Sequence, residues 1–408
     1  MKKFFSLCLM VTLAGTFAFA GGSSSQGNSS QVSGTSKTKR AAICIPYGAD
    51  EFFRFINDQV KSALEAEGYQ VQTADANGDT QTMIRQVQNF TASKVDLMYV
   101  FPAGDAAAFH DVMKEATDSG IKTLVSHNNT GQGTATAFVQ CDEFIMGTMM
   151  APLVSQWLDK QYKNAAPLSI KVLTLENSLI PDMVKRSTGM KIIGEKFLRK
   201  VDLSTGRFIK TNGPAVNYTD ANNKDVAVDE PTGGLVLKGG KAILNPFYDP
   251  RVQVLDISNR VLMGNMDAQN ALDVFFAANG GSNTDIKVIM CYGGDMASGA
   301  SEKLMQAVSQ GIVKEDLSKL AVFGADITDS NKERMNQSLT NKNLVRGIMT
   351  NGNIIQTIVN TVTKMARGES VPAESWEKLG YMIPKADGSG FDQVLYNNQL
   401  PNTDLFFN

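Results

Sequence analysis

Polar and aromatic residues collect wherever an apolar run of this 408-residue chain ends. Tyr47-Gly48-Ala49-Asp50-Glu51-Phe52-Phe53 follows the first run, Phe101 to Asp105 the third, and Ser126-His127-Asn128-Asn129 the fourth. Later runs end in Glu176-Asn177-Ser178, in Asp256 to Arg260 with Asn259 among them, and in Tyr292-Gly293-Gly294-Asp295. Two more end in Gly324-Ala325-Asp326 and Thr350-Asn351-Gly352. Such a set suits reversible capture of a small polar molecule. Side chains that donate and accept match a ring of hydroxyls, and an aromatic ring covers an apolar face. Asp326 carries the sharpest version of the argument, because a carboxylate closing an apolar strand is costly unless something bonds it.

Bond-breaking chemistry has fewer means here. An activated nucleophile needs a base beside it, and the chain holds two histidines, His110 and His127. The first falls inside a predicted helix, and no G-x-S-x-G elbow occurs. Asp295 and Asp326 are the one carboxylate pair that a glycosidase reading would use, so an enzyme stays the competing class. No C-x-x-C or Cys/His spacing suits zinc. Neither a metal nor a cofactor is expected.

The elements that must position these residues read as a repeating strand–helix series. Strands are predicted over Ala41–Pro46, Tyr69–Asp75, Val95–Phe101 and Ile121–Ser126, with helices over Asp50–Gly68, Thr80–Ser93 and Asp105–Ser119 between them. In the first helix Phe52, Phe53, Ile56, Val60 and Leu64 recur at three- and four-residue spacing. The rhythm resumes with strand Leu168–Leu175 and helix Pro181–Lys200. It continues through strands Val252–Ile257, Ile286–Cys291, Leu320–Gly324 and Leu344–Met349, separated by helices Met266–Ala278, Asp295–Gln310 and Asp329–Leu339. Near-continuous apolar strands, each followed by a helix, imply parallel sheets covered on both faces. Two such series, divided near residue 141, imply an α/β fold of two doubly wound lobes, and in open α/β sheets ligands bind beyond the carboxyl ends of the strands. Residues 201–250 break the rhythm with Gly, Asn, Asp, Thr and Lys. Inside them Leu235 to Leu244 reads as a hairpin turning on Gly239-Gly240. A solvated insertion and a lid or docking flap both fit that segment.

Lys2 and Lys3, an apolar stretch from Phe4 to Phe17 and Ala18-Phe19-Ala20 form the pattern of a secretory signal with its cleavage site. Residues 21–40, rich in Gly, Ser and Thr, read as a flexible tether. The roughly 370 residues beyond are enough for two domains. Loss of Lys2 and Lys3 takes the formal charge from −2 to −4, as residues 1–20 hold no acid. That balance gives no sign of a nucleic-acid partner, and no later run reaches the ~18 unbroken apolar residues of a membrane span. Cys8 lies in the segment to be removed, and Thr16, not Cys, follows Leu13-Ala14-Gly15, so no lipid anchor is expected. Cys44, Cys141 and Cys291 sit in apolar runs and are expected as buried thiols.

In order along the chain, these marks resemble the type I periplasmic binding proteins of ABC importers, in particular the ribose/galactose-type sugar-binding group. They are Phe52-Phe53 opening the first helix, Asn77-Gly78-Asp79 with Gln86 and Asn89, and Pro102 with Asp105. Arg186 before Gly189-Met190, the stretch from Asp295 to Ala300, Val322 to Asp326, and Arg367-Gly368-Glu369 follow. The match runs from Ala41 to Val371, apart from the 201–250 insertion. The resemblance implies an extracytoplasmic, monomeric binder that closes two lobes on a small ligand, a sugar, and delivers it to an ABC transporter permease. It implies lobe 1 from 41–140 plus 351–374 and lobe 2 from 141–350 plus 375–408, joined by three crossing strands. It also implies roles: Phe52 or Phe53 stacking on the sugar, Asp50 as a polar contact, and Arg186 reaching ring or hydroxyl oxygens. Asp295 belongs to a matching motif, Asp326 accepts from two hydroxyls, and Thr350 or Asn351 makes the last contact. Core packing of the Phe pair and helix capping by Asp50 remain alternatives.

Departures from the family pattern leave the ligand open. His127-Asn128 replaces an Asp-Arg pair, Gly293-Gly294 replaces Asn-Asp, and Asn259 stands where an aromatic is common. An autoinducer, nucleoside or polyol presented to a sensor is therefore the alternative. The calcium loop of some galactose binders is absent from the sequence.

Overall fold

The computed structural model describes residues 38–177, 180–196, 245–257, 264–279 and 285–396, together with the backbone of short strands between 201 and 242. The predicted signal, most of the tether and Asn259 lie outside the described residues.

The chain opens with β1 (Arg40–Ile45), whose apolar run is buried. Next comes α1 (Glu51–Ala66), which buries Phe52, Ile56, Val60 and Leu64 along one face. Asp50 starts this helix, its carboxylate accepting from the backbone N–H of Phe52 and Phe53, as an N-cap does. Then follow β2 (Gln70–Asp75), α2 (Thr80–Ala92), β3 (Leu97–Val100), α3 (His110–Asp118), β4 (Lys122–His127) and β5 (Ala137–Gln140). The single helix expected over 105–119 is divided, since Asp105 caps a 3₁₀ turn at Ala106–Phe109 that precedes α3.

After β5 the chain passes to a second body through α4 (Glu143–Thr148) and α5 (Met150–Gln161), for which the sequence reading had no counterpart. There follow β6 (Ile170–Leu175), α6 (Pro181–Lys191), β7 (Val252–Asp256), α7 (Asn265–Ala278), β8 (Ile286–Cys291), α8 (Gly294–Ser309), β9 (Ala321–Ala325), α9 (Asp329–Ser338) and β10 (Val345–Thr350). The chain returns to the first body with α10 (Ile354–Arg367) and β11 (Glu374–Trp376), and ends in the second with β12 (Gly380–Pro384) and β13 (Phe391–Leu395).

The first sheet runs β11-β5-β4-β3-β1-β2, parallel throughout. The second runs β7-β6-β8-β9-β10-β12-β13. It is parallel as far as β10 and antiparallel beyond. The antiparallel edge departs from the expected all-parallel sheet because β12 and β13 form a hairpin, and a short connection cannot join parallel neighbours. Each lobe thus contains the doubly wound order 2-1-3-4-5, with its crevice between the first and third strands.

Helix contacts fix the second lobe tightly. A Cβ on Gly147 of α4 would land on the Arg186 carbonyl oxygen, and one on Gly189 of α6 would land on the Phe144 carbonyl oxygen. Only glycine lets these two helices approach so closely. In the 201–250 segment, Val236–Leu237 and Lys241–Ala242 pair antiparallel as the predicted hairpin. Leu237 faces Lys241, so three residues separate the paired positions, one more than a two-residue turn allows. Cys44, Cys141 and Cys291 are buried and unbridged.

Candidate functional site

The carboxyl ends of the strands flanking both crevices face one another across a shared cavity. Lobe 1 supplies Asp50, Phe52 and Phe53 after β1, Phe101 and Pro102 after β3, and Asn128 after β4. Lobe 2 supplies Met183 and Arg186 from α6, Tyr292 and Asp295 around the start of α8, and Asp326 after β9. The cavity measures about 100 Å³. At about 10–15 Å³ per water on the same measure, it holds roughly seven to ten waters, the bulk of a ligand of about a dozen heavy atoms.

The lobe 1 wall is aromatic. Phe53 meets Phe101 edge-on at 4.8 Å between ring centroids, and Phe101 stacks on His127 at 4.2 Å. Phe52 is buried and meets His127 edge-on at 5.6 Å, whereas Phe53 is half-buried and keeps ring surface toward the cavity. Within the aromatic pair, Phe52 is therefore chiefly packing and Phe53 the available stacking surface.

The lobe 2 wall is ionic. Arg186 Nε donates to Glu143 Oε2 at 2.6 Å, and its Nη1 donates to the Tyr292 carbonyl at 3.1 Å. The side chains of this ion pair are 7% and 3% exposed. Burial pulls the Arg186 pKa down, but Glu143 and Asp326 beside it more than offset this and keep the guanidinium charged. Burial raises Asp326 to about 6, against the opposing pull of Arg186 and the Gly294 N–H. Burial and the charges of Asp326 and Asp295 raise Asp50 to about 7. Asp295 also links the lobes, its Oδ2 accepting from the Glu51 backbone N–H at 3.4 Å.

His127 and Asp326 occupy corresponding places at the ends of the fourth strands of their sheets, and both adopt left-handed backbone, with φ of 67° and 70°. Non-glycine residues held in this region cluster at functional sites. Burial lowers the His127 pKa to about 3, with Arg186 adding to the shift. The ring is therefore neutral at ordinary pH. Its Nδ1 lies 3.2 Å from Ser126 Oγ, and its Nε2 has no hydrogen-bond partner.

Of the residues singled out by sequence, Asp50, Phe52, Phe53, Asn128, Arg186, Asp295 and Asp326 line the cavity. His127 lies just behind its aromatic wall, on a neighbouring chamber of about 360 Å³ that shares Asn128 with it. Thr350 and Asn351 are buried at the crossing between lobes and do not line the cavity. Thr350 Oγ1 and Asn351 Nδ2 are without hydrogen-bond partners there. Glu143, Met183 and Met296 were not foreseen. Glu143 stands in the helix that the sequence reading left unassigned, and the two methionines carry no local polar signal. Among the described residues no cluster of His, Cys, Asp and Glu is arranged to hold a metal ion, and no helix is long and apolar enough to cross a membrane.

Comparison with known proteins gives the same architecture. A carbohydrate transporter solute binding protein from Agrobacterium radiobacter, in complex with D-arabinose, has a TM-score of 0.59 and 13% identity, over 87% of this chain and 97% of its own. An ABC transporter periplasmic solute binding protein from Actinobacillus succinogenes, with bound D-allose, has a TM-score of 0.58 and 16% identity, over 86% and 99%. An ABC transporter solute binding protein from Bacillus halodurans, with bound myo-inositol, has a TM-score of 0.58 and 18% identity, over 86% and 96%. At these identities the likeness is one of fold. No curated protein matches the chain. A family profile described as a periplasmic binding protein domain matches residues 41–367, most of the chain. With its two parallel-sheet lobes meeting over one cavity, this chain belongs to the periplasmic binding protein domain family.

Proposed function

We propose that this protein is an exported, non-enzymatic solute-binding protein that captures a monosaccharide-sized ligand and delivers it to an ABC-type permease. The observation that carries the reading is the two-sided cavity. One wall offers the Phe53 ring, and the other offers Arg186 and the buried Asp326. A sugar ring presents the complement, an apolar face and a rim of hydroxyls that donate and accept. Buried polar groups left unmatched carry a penalty, which makes such a site selective. Similar folds recorded with D-arabinose, D-allose and myo-inositol support the class of ligand.

Closure follows from where the contacts lie. A ligand bonded to Asp326 and stacked on Phe53 touches both lobes, so it favours the closed arrangement by its differential affinity for that state. The three crossings between lobes are the expected hinge. Export rests on the Lys2-Lys3, apolar and Ala18-Phe19-Ala20 pattern.

Calorimetric titration against pentoses, hexoses and inositols, paired with small-angle scattering, tests the reading. A saturable sugar or inositol that also compacts the protein is the expected result. Binding of a nucleoside or an autoinducer, with no response to any sugar, would move the protein to the sensor alternative that His127-Asn128 raises.

A further inference from the structure

The cavity is more acidic than its cations balance. Among the described residues, Asp50, Asp295 and Asp326 line it against one cation, Arg186, whose Nε is already paired with Glu143 at 2.6 Å. Setting that pair aside leaves three carboxylates facing about 100 Å³. Backbone N–H groups bond them: Phe52 and Phe53 to Asp50, Glu51 to Asp295, and Gly294 to Asp326. The N-termini of α1 and α8 each add about half a positive charge, which does not balance the three carboxylates once they ionise. A neutral sugar satisfies carboxylate lone pairs through its hydroxyls but brings no charge. Closing the lobes over it would desolvate like charges beside one another, an arrangement that is strongly disfavoured.

An independent feature marks the same cavity as built for a ligand. Asn128, 7% exposed and on the cavity wall, makes no side-chain hydrogen bond to the protein. Its amide atoms are not sealed inside the protein but open onto the cavity, where a ligand can meet them. The ring of Phe53, half-exposed beside Asp50, adds a surface that attracts cations.

We propose that the solute carries a protonated amino group on its sugar frame, so that the site selects an amino sugar over its neutral parent, with the ammonium among Asp50, Asp295 and Asp326. The proposal rests on the sugar-binding reading above and narrows it. Burial and neighbouring carboxylates raise Asp50 and Asp326, and an ammonium among them would relieve that strain. Asn128 is left to meet a hydroxyl.

The test is calorimetric titration of the full chain at pH 7 with D-glucosamine, D-galactosamine and D-mannosamine. Their neutral parents and N-acetyl derivatives run alongside. At least one amino sugar is expected to bind tenfold or more tightly than its parent, and its N-acetyl derivative to lose that gain. Asp295→Asn, at a half-buried position, should weaken the amino sugar at least tenfold more than it weakens the neutral parent. A neutral parent binding as tightly as its amino sugar overturns the proposal and leaves the sugar-binding reading standing. Binding of a non-sugar, with every sugar silent, overturns both.

Discussion

Glu143→Gln is the most direct perturbation of the lobe 2 wall. Arg186 and Glu143 meet at 2.6 Å with side chains 7% and 3% exposed, so the substitution leaves a buried guanidinium without its contacting charge. Breaking a buried pair from one side costs about 3–5 kcal/mol. Gln keeps the volume and an acceptor for Nε, and Asp326 still acts on the guanidinium, so the lower end, about 3 kcal/mol, applies. That is roughly a hundredfold shift in the folding equilibrium, readable by urea unfolding followed through tryptophan fluorescence. The double variant Glu143→Leu/Arg186→Met removes both charges and fills the space with apolar atoms. It should recover most of the loss, falling short by about 1 kcal/mol for the Tyr292 carbonyl that loses its donor, while ligand binding disappears. A single variant within 1 kcal/mol of the parent, or a double variant no more stable than the single, would refute this account of the pair.

Three further outcomes follow from the same geometry. Asp326, held at about 6 against an ordinary 3.8, keeps a proton between about pH 4 and 6 that the unfolded chain has released, so its contribution to stability falls as pH rises through that window. Asp326→Asn should therefore gain about 2 kcal/mol relative to the parent from pH 4 to pH 7, at 1.36 kcal/mol per unit; urea midpoints at both pH values check the sign. Gly189→Ala drives a Cβ into the Phe144 carbonyl and should cost about 2–3 kcal/mol as α4 and α6 separate, with affinity lost as well because Arg186 and Glu143 span that contact. Phe53→Ala should weaken sugar binding about tenfold, the worth of a lost stacking face, and change the unfolding midpoint little; unchanged affinity in titration would show that Phe53 does not touch the ligand.

The sequence revealed most where one rule acts locally. Alternation of apolar strands with amphipathic helices identified the two doubly wound lobes, the strand-end rule led to Asp50, Asn128, Asp295 and Asp326, and the family resemblance added Arg186. Where several residues cooperate across the chain, reading stopped short. Nothing local says that Glu143 will meet Arg186, 43 positions away, because the pairing depends on how closely α4 and α6 pack. Gly147 and Gly189 permit that approach, yet in sequence they resemble any helical glycine. Thr350 and Asn351 show the converse. They close a strand as Asp326 does, but the chain turns there toward the other lobe and buries them away from the cavity.

The return of the chain to its first lobe also sets an order of events. β11 pairs with β5 through Glu374 and Phe138, and α10 is tied down by Lys122 Nζ on the Met365 carbonyl at 2.6 Å and by Arg367 on Glu67 at 2.7 Å. Until residues 354–376 have emerged, the edge of β5 has no neighbour and the outer face of α1 has no cover. The lobe begun first is thus completed nearly last, after all of the other except its β12–β13 edge has been made. Contacts between such distant positions form slowly, and an uncovered strand edge invites pairing with other chains. A nascent first lobe of this kind stays unfinished and in need of shielding while most of the second is being synthesised.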